Sequence, residues 1–545
     1  MDVFGFRDSV IEEYQRFTRS FVRIRSADIK SYVDAAYSGE RFWPAPMVGL
    51  NPAFVPAGDI GHFVQEGLLH PECERIFRHG KTADGAIGSP LTLHQHQAEA
   101  IRIAKRRESY VLTTGTGSGK SLSYFVPIVD DVLRRKAAGQ ATALSAIVVY
   151  PMNALCNSQL EELQKYLCLG YPEGREPVTF ARYTGQENEE ARQRLAASPP
   201  DILLTNYVML ELMLTRHSPP DPQIVAQASG LRFLVLDELH TYRGRQGADV
   251  AMLVRRVRDR TNSDLLCVGT SATMVTGGTT ADRARTVASV ASRLFGVELR
   301  PENIVTETLQ RVTDDSAATD REALANAVAA GVPDSAHYEA LRHHPVAAWM
   351  ETTLGLARED DRPDGRWVRT SRPKTLREAA ALLAEASGHA QEECLDYIRR
   401  LLLLAYRTRG PDGQPFFAFR LHQFVAGAGD VFTTLEPPGA RYLTLNGQQF
   451  QPGAERKPLF TALFCRSCGQ EYLPVWAMMS ERRPIHITPR EVGDRSGDDD
   501  GGTVHGYFMP DPAGEFDAED ADRFPEEWLE PTGDGSQRLR PSYRH

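Results

Sequence analysis

The chain has 545 residues, of which 41% are hydrophobic and 25% charged, with a formal net charge of −10. That length allows about three or four domains, and the composition is ordinary for a soluble globular protein. An acidic balance argues against a histone-like coat on nucleic acid, but a local basic track would satisfy a protein whose phosphate contacts are local. No apolar run approaches the roughly 18–20 residues of a bilayer span, and the first residues lack the basic start and apolar stretch of a secretory signal. Of the seven cysteines only Cys465 and Cys468 are close together, so no disulfide scaffold is indicated. No membrane partner and a cytoplasmic location are therefore expected.

Residues 1–90 read as an N-terminal accessory region, a cap packed on the next domain. Val10 to Phe21 has helical spacing of apolar residues, and 44–60, with several Pro and Gly, reads as loop. Residues 91–295 alternate short apolar runs with helical patterns. The runs are Tyr110–Thr113, Ala146–Tyr150, Thr179–Arg182, Asp201–Thr205, Phe233–Leu236 and Leu265–Val268. Near-continuous apolar strands between helices predict an α/β domain whose parallel sheet is buried on both faces, with ligands at the carboxyl ends of its strands. Residues 296–410 read as a helical accessory domain, with helices over Leu376–Ala386 and Glu392–Tyr406 and a turn at Gly410. Residues 411–489 switch to a mixed β region containing Cys465 and Cys468. Residues 490–545, with Asp498–Asp500 and an acidic stretch at 511–530, read as an acidic loop-rich tail. No internal repeat is evident.

The chemistry-bearing motifs fall just after the apolar runs. Thr114-Gly115-Thr116-Gly117-Ser118-Gly119-Lys120-Ser121 follows the first strand and precedes a helical stretch from Leu122. Its glycines let the backbone approach a ligand, and amide N–H groups with the helix N-terminus bind phosphates. Lys120 is expected to reach the β/γ-phosphates and Ser121 to bind Mg²⁺. Thr114 stands where the usual pattern has Gly. Asp237-Glu238-Leu239-His240 follows Phe233–Leu236 directly. Asp237 is expected to hold Mg²⁺, mostly through water, and Glu238 to orient and polarise the attacking water. His240 would couple the site to its neighbours, as would Ser271 and Thr273 of Ser271-Ala272-Thr273 at the end of a further strand.

In order and spacing these three motifs resemble motifs I, II and III of superfamily 2 helicases, with a RecA-like fold for 91–295. The resemblance implies ATP and Mg²⁺ as cofactors, and places Gln97 at the adenine. Tyr150-Pro151-Met152-Asn153, Thr184-Gly185 and Thr205-Asn206 resemble the segments that contact the nucleic-acid backbone, which singles out Pro151, Asn153, Thr184, Gly185, Thr205 and Asn206. The wider sequence, including Phe464-Cys465-Arg466-Ser467-Cys468-Gly469, is similar to bacterial helicases with an MrfA-like C-terminal zinc-binding domain, among them DNA-repair enzymes and phage-defence helicases of DISARM and Druantia systems. Those are DNA motors acting on a single strand or fork. Their motifs IV to VI, with the arginines of a second RecA-like domain, have no counterpart after residue 300. The chain is thus expected to be an N-terminal motor half, inactive until a second RecA-like domain closes on it, supplied by a longer polypeptide or a partner subunit.

Cys465 and Cys468 have the spacing of half a zinc ribbon. Zn²⁺ with ligands from elsewhere (His486 and His505 included), plain structural cysteines, and a redox pair stay open as readings. Lys105–Arg107, Arg134–Lys136 and Arg255–Arg260 read as solvated helix faces, while Arg243 and Arg245 read equally as part of a DNA track or as carboxylate partners. Two further functions compete with a DNA helicase or translocase: a non-unwinding nucleotide-dependent binding module of a larger complex, and an RNA helicase.

Overall fold

Seven short strands carry the central sheet: β1 (Tyr110–Thr113), β2 (Ala146–Tyr150), β3 (Phe180–Tyr183), β4 (Ile202–Asn206), β5 (Phe233–Leu236), β6 (Leu266–Ser271) and β7 (Ile304–Thr306). All pair in parallel, in the order β7-β1-β6-β5-β2-β4-β3. This is the computed structural model of the chain, and it describes residues 2–541 apart from 40, 83–84, 116, 262–263, 273–278, 336, 360–364, 371–372, 412, 428, 454–455, 481–482, 495–502, 512–513, 515, 518–519, 521–523, 525 and 534.

Successive side chains on a strand point to opposite faces, and the two faces carry two cores. Tyr110, Leu112, Val148, Leu204, Val235 and Val268 pack against helices Gln95–Lys105, Leu122–Ala137 and Asn153–Leu167. Val111, Ile147, Val149, Leu203, Leu234 and Cys267 pack against helices Tyr207–Thr215, Gly244–Arg260 and Thr280–Phe295. Helix cover on both faces is why the strands are apolar throughout rather than alternating. The protein has the α/β, RecA-like fold.

Several segment boundaries differ from the sequence reading. The sheet does not end by 295, because β7 pairs with β1 through Ile304, Val305 and Thr306. Residues 44–60 are not simply loop: Met47–Asn51 pairs with Ala418–His422 and Lys374–Thr375, and Pro56–Asp59 pairs with Thr92–His94. The N-terminal region is therefore no single cap. Its helix Ala27–Ser38 is tied instead to the C-terminal β region, where Arg441, almost wholly buried, reaches Asp28, Ser26 and Glu471. Leu376–Ser387 and Gln391–Arg407 are helices in the accessory region, but that region also holds the hairpin Leu356–Arg358/Trp367–Arg369. The tail is not all loop either, since Thr503–Phe508 pairs with the strand Glu471–Ser480.

Candidate nucleotide site and nucleic-acid groove

Three adjacent strands, β1, β6 and β5, end side by side. Thr113 is opposite Ser271, and Leu236 is opposite Gly269. The sheet order thus brings the loop at 114–121, Ser271 and the Asp237–Glu238 pair to one rim, although up to 157 residues of chain separate them. Thr114 donates its N–H to the Ser271 carbonyl (3.2 Å), and its hydroxyl meets Ser118 Oγ at 2.6 Å. The hydroxyl bridge across the loop is something the Gly of the usual pattern could not make. Gly117 and Gly119 have φ of 83° and 69°, the left-handed region glycine adopts freely.

Lys120 follows this loop and points at the acidic pair, with Nζ 4.0 Å from Glu238 Oε1. Burial pushes the Lys120 ammonium below its ordinary pKa, an effect opposed by Glu238 and Asp237. Burial likewise pushes Asp237 above the usual carboxylate value, and the hydrogen bond from Thr270 Oγ1 opposes it. Glu238 has φ 51° and ψ 54°, a left-handed conformation that costs a non-glycine residue roughly 1–2 kcal/mol. Its N–H is held by Thr270 Oγ1 at 3.2 Å. His240 Nδ1 lies 3.2 Å from Ser271 Oγ and 3.2 Å from Glu238 Oε2, so it touches both neighbouring motifs. That carboxylate oxygen is buried without an aligned donor. Ser121 begins the helix Leu122–Ala137. Thr116 and Thr273 lie outside the described residues.

Gln97 lies beneath the phosphate loop. Its amide is buried beneath the loop, where Nε2 donates to Gly119 O (2.9 Å) and Ser118 O (3.3 Å) and Oε1 accepts from His94 N–H (2.8 Å). Both of its donors are used on the loop, so in this conformation it buttresses the phosphate loop rather than presenting them to an adenine. His96 Nε2 adds a contact to Ser118 O at 2.9 Å.

On the other side of β5, the ends of β2, β4 and β3 line a groove of about 600 Å³. Pro151, Asn153, Thr184, Gly185 and Asn206 all face it. Asn206 Nδ2 donates to Asn153 Oδ1 (2.7 Å), and Asn206 Oδ1 caps the helix Tyr207–Thr215 through Met209 N–H (2.7 Å). Thr205 does not face the groove: it is fully buried and donates its hydroxyl to Tyr183 O at 2.6 Å. The Thr184 and Gly185 amides donate to Glu187 Oε2 at 2.8 and 2.9 Å. Arg192 and Arg216 also line the groove. Each lies on or beside a helix, seven and ten residues past a motif; a cation at such an offset was the only signal available.

Arg216 is ion-paired with the buried Asp221 at 3.4 Å, and the other basic segments carry ion pairs as well. Lys105 and Arg134 pair with Asp130, Lys136 with Asp201, and Arg256 with Glu211. Arg243 and Arg245 are exposed. Cys465 and Cys468 occupy the turn between strands Phe460–Phe464 and Glu471–Ser480. Amide hydrogen bonds from Cys468, Ser467 and Gly469 hold the Cys465 thiol below its ordinary pKa. Among the described residues no group of three or more His, Cys, Asp or Glu is placed to hold a metal. No described helix is long and apolar enough to cross a membrane.

A glycine loop, a lysine and two carboxylates at adjacent carboxyl ends of a RecA-like sheet define a P-loop nucleotide-binding protein. The sequence model of the DEAD/DEAH box helicase family matches residues 94–278, the span that contains every one of these groups. Uncharacterized ATP-dependent helicase YprA of Bacillus subtilis is 30% identical over 185 residues, covering 33% of this chain and 23% of YprA. Druantia protein DruE of Escherichia coli is 24% identical over 576 residues, covering 76% of this chain and 30% of DruE. The crystal structure of DUF1998 helicase MrfA bound to DNA aligns with 55% of this chain and 38% of its own, at 19% identity and a TM-score of 0.36. Residues 94–278 of the chain thus carry a DEAD/DEAH box helicase domain. It spans less than a third of the length of the curated relatives YprA and DruE.

Proposed function

We propose that this chain is the N-terminal motor half of an ATP-dependent DNA helicase or translocase. The observation that carries the reading is the division of one sheet rim: phosphate loop and carboxylates over β1, β6 and β5, open groove over β2, β4 and β3. A single closing movement of a partner domain on that rim would engage nucleotide and strand together.

The residues present fit Mg²⁺-ATP. The loop is built for close approach, Asp237 and Ser121 supply hard oxygen donors, and Glu238 Oε2 is a buried acceptor without an aligned donor. The bound nucleotide supplies a phosphoanhydride bond for hydrolysis, with Mg²⁺ offsetting its charge. Lys120 neutralises phosphate charge from the loop side. Glu238 orients and deprotonates the attacking water, and its left-handed backbone fixes the direction of that carboxylate. His240, between Glu238 and Ser271, ties the carboxylate to β6. Pro151, Asn153, Gly185 and Asn206, with Arg192 and Arg216, contact the strand's phosphates. A second RecA-like domain, from further along a longer polypeptide or from a partner subunit, supplies the arginines that stabilise the transferred phosphate. DNA is favoured over RNA, and phage defence over repair, on the sequence resemblance to DNA helicases of the Druantia kind, and Druantia protein DruE matches over 76% of this chain. Half a zinc ribbon at Cys465 and Cys468 would need its remaining ligands from outside the described residues.

The test is ATP turnover by the intact protein with single-stranded DNA, single-stranded RNA or neither. DNA should raise turnover, Lys120→Ala should lose ATP binding, and Glu238→Gln should keep binding while turnover falls about 10²- to 10⁴-fold. Turnover indifferent to DNA would reject the motor and leave a non-unwinding binding module, while stimulation by RNA alone would make it an RNA helicase.

A further inference from the structure

The region outside the DEAD/DEAH box match places its own charged pair on the phosphate loop. Glu307 is the residue after β7, the strand that lies beside β1 with Thr306 opposite Thr113. Its carboxylate is thereby delivered to the start of the loop, where Oε2 accepts the Gly115 N–H at 2.9 Å. Arg369, at the end of the strand Trp367–Arg369, grips the same carboxylate with two bonds: Nε to Oε1 at 2.7 Å and Nη2 to Oε2 at 3.1 Å. The guanidinium lies directly against the loop, since a Cβ built on Gly115 would stand 2.5 Å from Arg369 Nε and 2.6 Å from its Cζ. It is held there from behind by the Phe54 ring, 5.7 Å from Cζ, and Arg366 fixes the Glu307 carbonyl. A second arginine from the same side, Arg420, brings Nη2 to 3.0 Å from where a Cβ on Gly117 would be.

A carboxylate that takes a loop amide and a bidentate guanidinium uses the donors that a phosphate oxygen would use. Both charges act on Lys120, Glu307 raising and Arg369 lowering its affinity for its proton. Glu307 is thus an internal anion at a site built for an external one.

We propose that Arg369 is a nucleotide-phosphate ligand that trades Glu307 for a phosphate oxygen when ATP binds, so that the region following the helicase domain senses the nucleotide. The proposal rests on the phosphate-loop reading above. Displaced from Arg369, Glu307 also releases the Gly115 amide. The hairpin that carries Arg369, Leu356–Arg358 and Trp367–Arg369, then becomes an element whose position depends on whether nucleotide is present.

The experiment measures equilibrium binding of fluorescent ATP, and of adenosine by competition, to the intact protein and four variants: Lys120→Ala, Arg369→Ala, Glu307→Gln and the double Glu307→Gln/Arg369→Ala. Arg369→Ala should weaken ATP about tenfold or more and leave adenosine unchanged. Glu307→Gln should tighten ATP severalfold, because an anion competing for the same donors is gone. The decisive comparison is within the Glu307→Gln background, where removing Arg369 should still weaken ATP about tenfold. If it has no effect there, Arg369 serves only to hold Glu307 and the proposal is overturned. A loss of adenosine binding equal to that of ATP overturns it as well, since a general disruption of the site is then the cause. ATP binding that survives Lys120→Ala unchanged rejects the phosphate-loop reading itself, a result separate from any Arg369 outcome.

Discussion

Gly269 sits in the middle of β6 and has no side chain for a reason visible at 2.3 Å. That is the distance from a built Cβ to Leu239 Cδ1, with Leu239 Cγ at 3.0 Å and Phe295 Cζ at 3.1 Å. Leu239 is fully buried and follows Glu238 directly. Gly269→Ala needs an ordinary contact of about 3.4 Å, so Leu239 must retreat by roughly 1 Å or β6 must move. Overpacking of this kind costs about 1–3 kcal/mol. The consequence for turnover is larger, because a carboxylate displaced by about 1 Å loses on the order of 10²-fold in rate. The expected result is a protein that still binds ATP, whose loop hangs on β1, but turns it over about 100-fold more slowly, with a lowered melting temperature. Thermal denaturation and ATP turnover at saturating nucleotide and DNA measure the two effects. The double variant Gly269→Ala/Leu239→Ala should recover much of the turnover while losing a further 2–5 kcal/mol of stability from the vacated leucine site. Wild-type turnover in Gly269→Ala, or no recovery in the double variant, would refute Leu239 as the part that sets Glu238.

Asn206→Ala removes the cap of helix Tyr207–Thr215 and the bond to Asn153; it should cost about 1 kcal/mol of stability and weaken binding to labelled single-stranded DNA beyond that of a stability-matched core variant. Cys465, its thiol pKa lowered by turn amides, carries more thiolate at neutral pH than Cys168, which burial shifts upward; iodoacetamide at pH 7 followed by peptide mass spectrometry should label Cys465 first, and equal rates would contradict the turn geometry. Asp28, which Arg441 holds well below the usual carboxylate range, contributes stability that is complete above its unfolded value near pH 4 and is lost as pH falls below it. The melting temperature of the wild type should therefore drop more steeply below about pH 4 than that of Asp28→Asn.

The parallel sheet was legible because strands buried on both faces must be apolar at every position, and Ala146–Tyr150 or Phe233–Leu236 could read as little else. The rim chemistry was legible for the same reason: a charged or glycine-rich segment directly after such a strand has to emerge at its carboxyl end. The strand β7 was too short to register, three residues in a region otherwise helical, and with it went Glu307, although a carboxylate right after Ile304-Val305-Thr306 repeats the signature of Asp237 after Phe233–Leu236. Residues 47–59 were misread because their Pro and Gly suggest loop, while their pairing partners lie as far off as 418–422 and leave no local pattern. Thr205 illustrates the converse error. A motif position fixes where the backbone is, but the pleat turned this side chain inward, to Tyr183 O.

The two halves of the rim are not merely adjacent. The segment that carries Asp237 and Glu238 continues through His240 to Tyr242, whose buried ring meets the Tyr207 ring edge-on at a centroid distance of 6.2 Å. Tyr207 opens the helix that Asn206 caps and lines the groove beside it. The acidic segment and the wall of the groove thus share an aromatic contact, packed at the density of a protein interior. The unpaired hydroxyl of Tyr242 fits the same logic. A buried tyrosine without a hydrogen-bond partner costs about 1–3 kcal/mol relative to a satisfied one, so any closed arrangement that gave the hydroxyl a partner would be favoured by that amount. Nucleotide and strand would then be linked through a group that touches neither.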